Sequence, residues 1–445
     1  MILALLLPLN ITIHCNQTIR RDADRFFGIN LNYVRDRDSN RPGERPLNEA
    51  LMAMGTRWLR YPGGEKSDFY LWSKPPYAKP IPQSLGWYAT QKGDRMDFDE
   101  FIQHARGTHA EPHVVVACDS EKRNGLTETQ QLENATEWVR YSKAKGYGVK
   151  YWEVGNENWH NNTSTPTEMA KTLIRFSKAM KAIDPTIKIG ASGDSDHWWQ
   201  EFLPGAAPYL DFLTVSQYTG WQWRTYDHFL TGPNLTETAS GAVNAITRFA
   251  PEADRTRLKV IVSETNAKDY SPGGWPDSND LGHALVTFST LGHLLLNPKV
   301  GAAMVWTTRW MDDAEAPSSP FYGLNAKNEL MPTAQAIRAW GHNVLPDLLG
   351  VDGSDNATEA FASRLDSGDS LTVWLVNRSR SLRDVNLSID GEKYQIHSTE
   401  AFSGDSDKDL HPKWVQINNL RMNETGHIRG PLAPLSISIL VLRRS

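Results

Sequence analysis

The sequence predicts a (β/α)8, or TIM, barrel with a smaller C-terminal β-sandwich, and three observations carry that prediction. The chain has 445 residues, which is long for one ordinary domain but suits a barrel of roughly 250 to 330 residues with a companion module. From about residue 26 to 340, short apolar or β-branched runs alternate with longer segments of helical period, the pattern of βα units around a parallel sheet. After Trp340 the helical segments give way to strand-like runs separated by polar turns.

Eight runs read as barrel strands: Phe27–Leu31, Arg57–Tyr61, His113–Ala117, the run through Tyr151, Ile187–Ala191, Phe212–Ser216, the run through Val260, and Ala302–Trp306. Eight strands with intervening helices mean a closed barrel far more often than an open sheet. Two of the helices are explicit. Thr165-Pro166-Thr167-Glu168 supplies an N-cap, a first-turn proline and a capping-box glutamate ahead of Met169–Ile183. A second helix starts near Asp280 and places Leu281, Leu285, Phe288, Leu291 and Leu295 on one stripe. The runs Leu371–Val376, Val385–Ile389 and Ile437–Leu442 are sandwich strands, and Asn10–His14, which alternates ahead of the barrel, adds a strand to the same unit. The expected boundaries are 1–22 for the N-terminal strand, 23–345 for the barrel and 346–445 for the sandwich.

With 22% charged residues and a net charge of −5, neither nucleic acid nor an anionic membrane surface is an expected partner. Sixteen Trp and 14 Tyr suit an oligo- or polysaccharide, whose C–H faces stack on aromatic rings. Cys15 and Cys118 sit in separate segments without a Cys-x-x-Cys motif, so both are expected free and buried. The apolar opening Met1–Leu9 is too short to span a membrane and lacks a basic leader, so it reads as a strand or the trimmed end of an export signal. About ten Asn-x-Ser/Thr sequons, among them Asn10, Asn16, Asn234, Asn356 and Asn423, lean toward a secreted or periplasmic protein.

The chemistry rests on two glutamates at strand-like ends, Glu157 in Tyr151-Trp152-Glu153-Val154-Gly155-Asn156-Glu157 and Glu264 in Val260-Ile261-Val262-Ser263-Glu264. Barrel sites lie at the C-terminal ends of the strands. Glycosidic cleavage needs two carboxyls there, one to protonate the leaving oxygen and one to stabilise or attack the sugar carbon. Gly155 lets the backbone approach closely, and Asn156 can hydrogen-bond a hydroxyl next to the scissile bond. Trp159, Trp198, Trp199, Trp221, Trp223 and Trp275 fall in predicted loops of that face and read as stacking platforms for several sugars.

Tyr151–Glu157 resembles the acid/base segment of clan A glycoside hydrolases, especially the family 51 α-L-arabinofuranosidases. Phe27-Gly28-Ile29-Asn30 resembles that family's first strand, Arg60-Tyr61-Pro62-Gly63-Gly64 its second, and Leu432-Ala433-Pro434-Leu435-Ser436 the lead into its last sandwich strand. The resemblance implies a retaining enzyme with Glu157 as acid/base and Glu264 as nucleophile, Asn30 in the site, and Arg60, Asn156 and Tyr218 around the nucleophile. It also implies an aromatic floor at Trp306, with Trp310 close behind.

The chain departs from the family pattern in Glu65 where an Asn is usual, in Ser216-Gln217-Tyr218 where His-Tyr is common, and in Thr265-Asn266 where a Trp follows the nucleophile. Glu65 would read a different hydroxyl pattern or repel uronic acids. His160, His113, Asp119 and His197 form no close ligand pair and Asp312-Asp313 reads as an exposed acidic loop, so neither metal nor organic cofactor is expected. The expected function is a retaining glycosidase on plant or algal polysaccharide, most like an α-L-arabinofuranosidase. An endo-β-glycanase of xylanase, glucanase or agarase type and a catalytically silent carbohydrate-binding protein are the alternatives.

Overall fold

The computed structural model describes residues 8–119, 121–161, 164–218, 223–311 and 322–445. Eight parallel strands close into a barrel in chain order: Phe27–Asn30, Trp58–Tyr61, Glu111–Val116, Tyr151–Val154, Lys188–Ser192, Phe212–Tyr218, Lys259–Asn266 and Val300–Val305. The barrel expected from the runs is the one observed, with ends displaced by a few residues. Between strands four and five, helix Pro166–Ile183 begins with the reciprocal Thr165–Glu168 capping box and a first-turn proline. Helix Leu281–Leu295 is capped by Asp280, whose carboxylate accepts the His283 amide.

The barrel interior is layered because inward side chains recur every second residue. Trp58, Phe212, Ile261, Ala302 and Met304 form an apolar plug toward the strand starts, with Tyr151 packed against it. Two residues further along strands two, four and six come Arg60, Glu153 and Thr214, all fully buried, with Arg60 and Thr214 each donating to Glu153. Strand seven would fall out of phase at this height, since Ile261 faces inward and Glu264 is three residues on. A register shift between Val262 and Glu264 against strand six corrects this. The bulge inserts one residue, reverses the alternation and brings Glu264 onto the inward-facing Arg60.

The C-terminal strands form a ten-stranded curled sheet in the order Lys413–Gln416, Tyr394–Ser403, Ser436–Arg444, Ser370–Asn377, Thr358–Arg364, Asp347–Asp352, Leu9–Arg20, Arg383–Asp390, Ile428–Leu432, Arg421–Met422. The N-terminal strand Leu9–Arg20 lies within this sheet, antiparallel to Asp347–Asp352 and parallel to Arg383–Asp390. Alternation gives the sheet two apolar faces: Leu371, Val373 and Leu375 pack inside it, while Trp374 and Val376 join the barrel core. Trp340 centres that junction, with ring centroids 5.1 Å from Phe27, 4.6 Å from Phe288, 5.2 Å from Phe361 and 4.6 Å from Trp374. Its indole N–H donates to the Phe288 carbonyl at 3.1 Å. Trp340→Ala should cost about 3 kcal/mol of stability through the cavity it leaves; a denaturant midpoint unchanged from wild type would refute a shared core.

Cys15 and Cys118 are buried free thiols. No described helix is long and apolar enough to cross a membrane, and most of the apolar opening, residues 1–7, lies outside the described residues.

Candidate active site

Strand four ends in a turn that only a particular sequence can make. Gly155 has φ +74°, and a Cβ there would lie 2.1 Å from Asn158 Oδ1 and 2.6 Å from Cys118 Sγ, so glycine is required on both counts. Glu157 itself holds φ +44°, an unusual conformation of the kind that collects at functional sites. Its Oε1 accepts a short hydrogen bond from the Ser216 hydroxyl on strand six. Ser216 is also the register partner of Glu264 on strand seven. One residue thus ties the two candidate carboxyls to the same height of the barrel.

Arg60 is the hub. It is fully buried and donates from Nε to Glu153 Oε2 at 2.9 Å, from Nη1 to Glu264 Oε1 at 2.9 Å and Asn30 Oδ1 at 3.1 Å, and from Nη2 to Asn156 Oδ1 at 2.8 Å. The Tyr218 hydroxyl donates to the other oxygen of Glu264 at 2.8 Å. Glu264, 4% exposed, therefore has both oxygens fixed by donors, one of them a cation.

Two glutamates in and just after strand four, Glu153 and Glu157, differ electrostatically. Burial pushes the Glu157 carboxyl up and the negative charge of Glu264 adds to it, bringing the group to about 8. Glu153 shows the opposite outcome. Burial also raises it, but the Arg60 charge and the His113 hydrogen bond outweigh that and hold it at about 2. One protonated and one ion-paired carboxyl across a shared site is the arrangement that acid/base and nucleophile roles need.

The other expected site residues divide. Asn30 is fully buried, gives its amide to the Ser263 and Val305 carbonyls at 2.8 and 3.3 Å, and accepts from Arg60. Arg60 thus holds Glu153 and Glu264, and Asn30 holds Arg60. Trp306 is buried and Trp310 half-buried, with centroids 5.4 Å apart. The Gly64 turn lies directly against Trp306, since a Cβ there would sit 1.9 Å from the ring. Glu65 is exposed and paired to Arg123 at 2.9 Å, with the Tyr88 hydroxyl donating to it at 3.2 Å. Arg123 also pairs with Asp119 at 3.0 Å, so Glu65 is already partly neutralised.

Most of the expected tryptophan platforms are corrected. Trp198 and Trp199 lie in helix Asp196–Ala206, not in a loop, and are buried. Trp223 and Trp275 are buried in a stack with centroids 6.0 Å apart, continued by His283 at 3.7 Å from Trp275. Trp159 is half-buried against the core. Trp221 and the Asp312-Asp313 pair lie outside the described residues. Among the described residues the exposed aromatics are others, Trp87 at 56% and Tyr270 at 51%, with Tyr270 edge-on to Tyr218 at 5.1 Å. Neither stands in a recognisable pattern; their signal is exposure, which exists only after folding.

Of the residues weighed as metal ligands, His113 is buried against Glu153, Asp119 pairs with Arg123, His197 faces Glu201 at 3.7 Å, and His160 is exposed. Among the described residues no group of three or more His, Cys, Asp or Glu is arranged to hold a metal. Period-two alternation places Ser216 and Glu153 at inward positions of strands six and four, so strand spacing is the signal that marks them.

Comparison with known proteins gives likenesses to arabinofuranosidases and, by structure alone, to a xyloglucanase. The latter, a glycoside hydrolase family 44 protein of Paenibacillus polymyxa, superposes with a TM-score of 0.68 at 12% identity over 98% of this chain and 99% of that one. Residues 50–228 match the model of the alpha-L-arabinofuranosidase 1 domain. Alpha-L-arabinofuranosidase C of Emericella nidulans is 27% identical over 207 residues, 38% of this chain and 39% of that protein, so the match spans well under half of each. The alpha-L-arabinofuranosidase of Thermotoga maritima, solved with arabinose, superposes with a TM-score of 0.76 at 20% identity over 98% of this chain and 99% of that one. The GH51 alpha-L-arabinofuranosidase of Thermotoga petrophila gives 0.73 at 19% identity over 97% and 99%. The chain shares their fold, a barrel with a β-sandwich.

Proposed function

We propose that this protein is a retaining glycoside hydrolase of α-L-arabinofuranosidase type, with Glu157 as acid/base and Glu264 as nucleophile. The observation that carries the proposal is the pair itself: a carboxyl pushed up to about 8 and a carboxylate held by Arg60 and Tyr218, both joined to neighbouring strands through Ser216. The likeness to arabinofuranosidases supports the choice of sugar. In the first step Glu264 attacks the anomeric carbon while Glu157 gives its proton to the departing oxygen, leaving a glycosyl ester on Glu264 and an ionised Glu157. Esterification removes the charge of Glu264, so Glu157 loses its nearest repulsion and becomes a base for the incoming water. Water then adds to the anomeric carbon, its proton passes to Glu157, and Glu264 departs as carboxylate. The configuration is inverted twice and therefore retained.

The test is a panel of aryl glycosides and polysaccharides, with the anomeric form of the first product followed by proton NMR. Release from an aryl α-L-arabinofuranoside with retained configuration is the expected result. An inverted product would reject the double displacement; release from one polymer alone, as oligosaccharides, would move the protein to the endo-glycanases.

A further inference from the structure

Lys66 is a fully buried cation at this site with no hydrogen-bond partner among the described residues. Its ammonium lies 4.4 Å from the centroid of Trp306 and 4.8 Å from that of Trp310, between the two tilted indoles. The amide of Trp306 donates to the carbonyl of Thr265 at 2.9 Å, so this clamp is attached one residue from Glu264. The charges around it are Glu264 on strand seven, Arg60 on strand two, Asp36 after strand one and Glu65 on its own turn. Asp36 is ion-paired to Arg309 and Glu65 to Arg123. Arg60 is a single cation shared between two carboxylates, Glu153 and Glu264. Glu264 therefore has only a share of the Arg60 charge, and Lys66 is a second cation acting on it.

We infer that Lys66 is a positioning residue, the counter-charge of Glu264, held by Trp306 and Trp310 so that it acts on the nucleophile through space without hydrogen-bonding it. An ammonium with no hydrogen bonds persists only where aromatic faces and a carboxylate replace its water. Burial pushes Lys66 down, to about 7, against the upward pull of Glu264. The lysine's charge is therefore open to change near neutral pH, and each of the two groups should respond to the other.

The inference rests on the role proposed for Glu264, and two measurements separate the failure of one from the failure of the other. The first needs no substrate: the Lys66 Cε resonance of the full chain is titrated by NMR in wild type and in Glu264→Gln. Removing the counter-charge should lower the Lys66 titration by about one pH unit; an unmoved titration overturns the inference even if the enzyme hydrolyses arabinofuranosides. The second compares kcat/KM against pH for Lys66→Met and Lys66→Arg on whichever aryl glycoside the wild type cleaves. Met should lose about tenfold at neutral pH with its acid limb moved to higher pH, and Arg should restore the limb. A uniform loss with unmoved limbs would make Lys66 a packing residue only. If Lys66→Met does not fold, the NMR comparison still decides.

Discussion

Replacing Glu264 with alanine should lower kcat by roughly 10⁴- to 10⁶-fold, the scale on which loss of a nucleophile acts. The variant should still fold, because Arg60 keeps its bonds to Glu153, Asn30 and Asn156, and the space vacated lies next to donors that an anion can use. Azide should therefore enter, attack the anomeric carbon in place of the carboxylate, and release a glycosyl azide of inverted configuration. Steady-state assays with and without azide, followed by NMR of the product, check both points. Activity within about a hundredfold of wild type, or a rescued product of retained configuration, would remove Glu264 from the nucleophile role.

How much of this was legible in the sequence follows from the range of each interaction. The eight strands and the capped helix at Thr165 are written in local periodicity and capping chemistry, which act within a few residues, and they were readable. The placement of Glu264 was readable only as the end of a run. That it turns inward depends on the bulge against strand six, a pairing between residues 46 or more positions apart that no local pattern encodes. The tryptophans failed for the same reason. Trp198 and Trp199 were expected in a loop, yet Ser195 caps a helix there and Pro204 lies inside it. Trp223, Trp275 and His283 meet as one stack although some 60 residues separate the first from the last. Among polar residues, Asn30 and Arg60 were assigned to the site by resemblance, and the structure places both beside Glu264. Their height within it came from the layering of the barrel, where an apolar plug at Trp58 and Phe212 is followed by a polar tier.

That polar tier also explains why two glutamates on one barrel face can hold different charges. Arg60 contacts Glu264 directly but reaches Glu157 only as a distant influence. Glu153, anchored by His113 at 3.0 Å and by the Thr214 hydroxyl at 2.6 Å, fixes the guanidinium in that orientation. Arg60 and Tyr218 thus hold Glu264 by direct hydrogen bonds, whereas burial disfavours the charge on Glu157.

Glu157→Ala should then fail in a way that depends on the leaving group. With an alkoxide leaving group the loss should reach roughly 10⁴-fold, the upper range for a general acid. With a dinitrophenolate, which departs without a proton, glycosylation should be spared and the glycosyl ester on Glu264 should accumulate because its hydrolysis lacks a base, giving a burst in rapid-mixing assays. Wild-type activity should fall as pH rises through about 8, where Glu157 loses its proton, and this limb should be absent from the variant. Stability supplies an independent check, with the sign set by linkage. The folded value of about 8 lies above the ordinary 4.5, so the folded protein holds a proton that the unfolded chain releases. Stability from this group is full below the unfolded value, declines as pH rises, and is lost above about 8. Glu157→Gln removes that decline. Its melting temperature should exceed the wild type's at pH 9 by more than at pH 4; an equal difference at both would show that Glu157 is not held protonated by the fold.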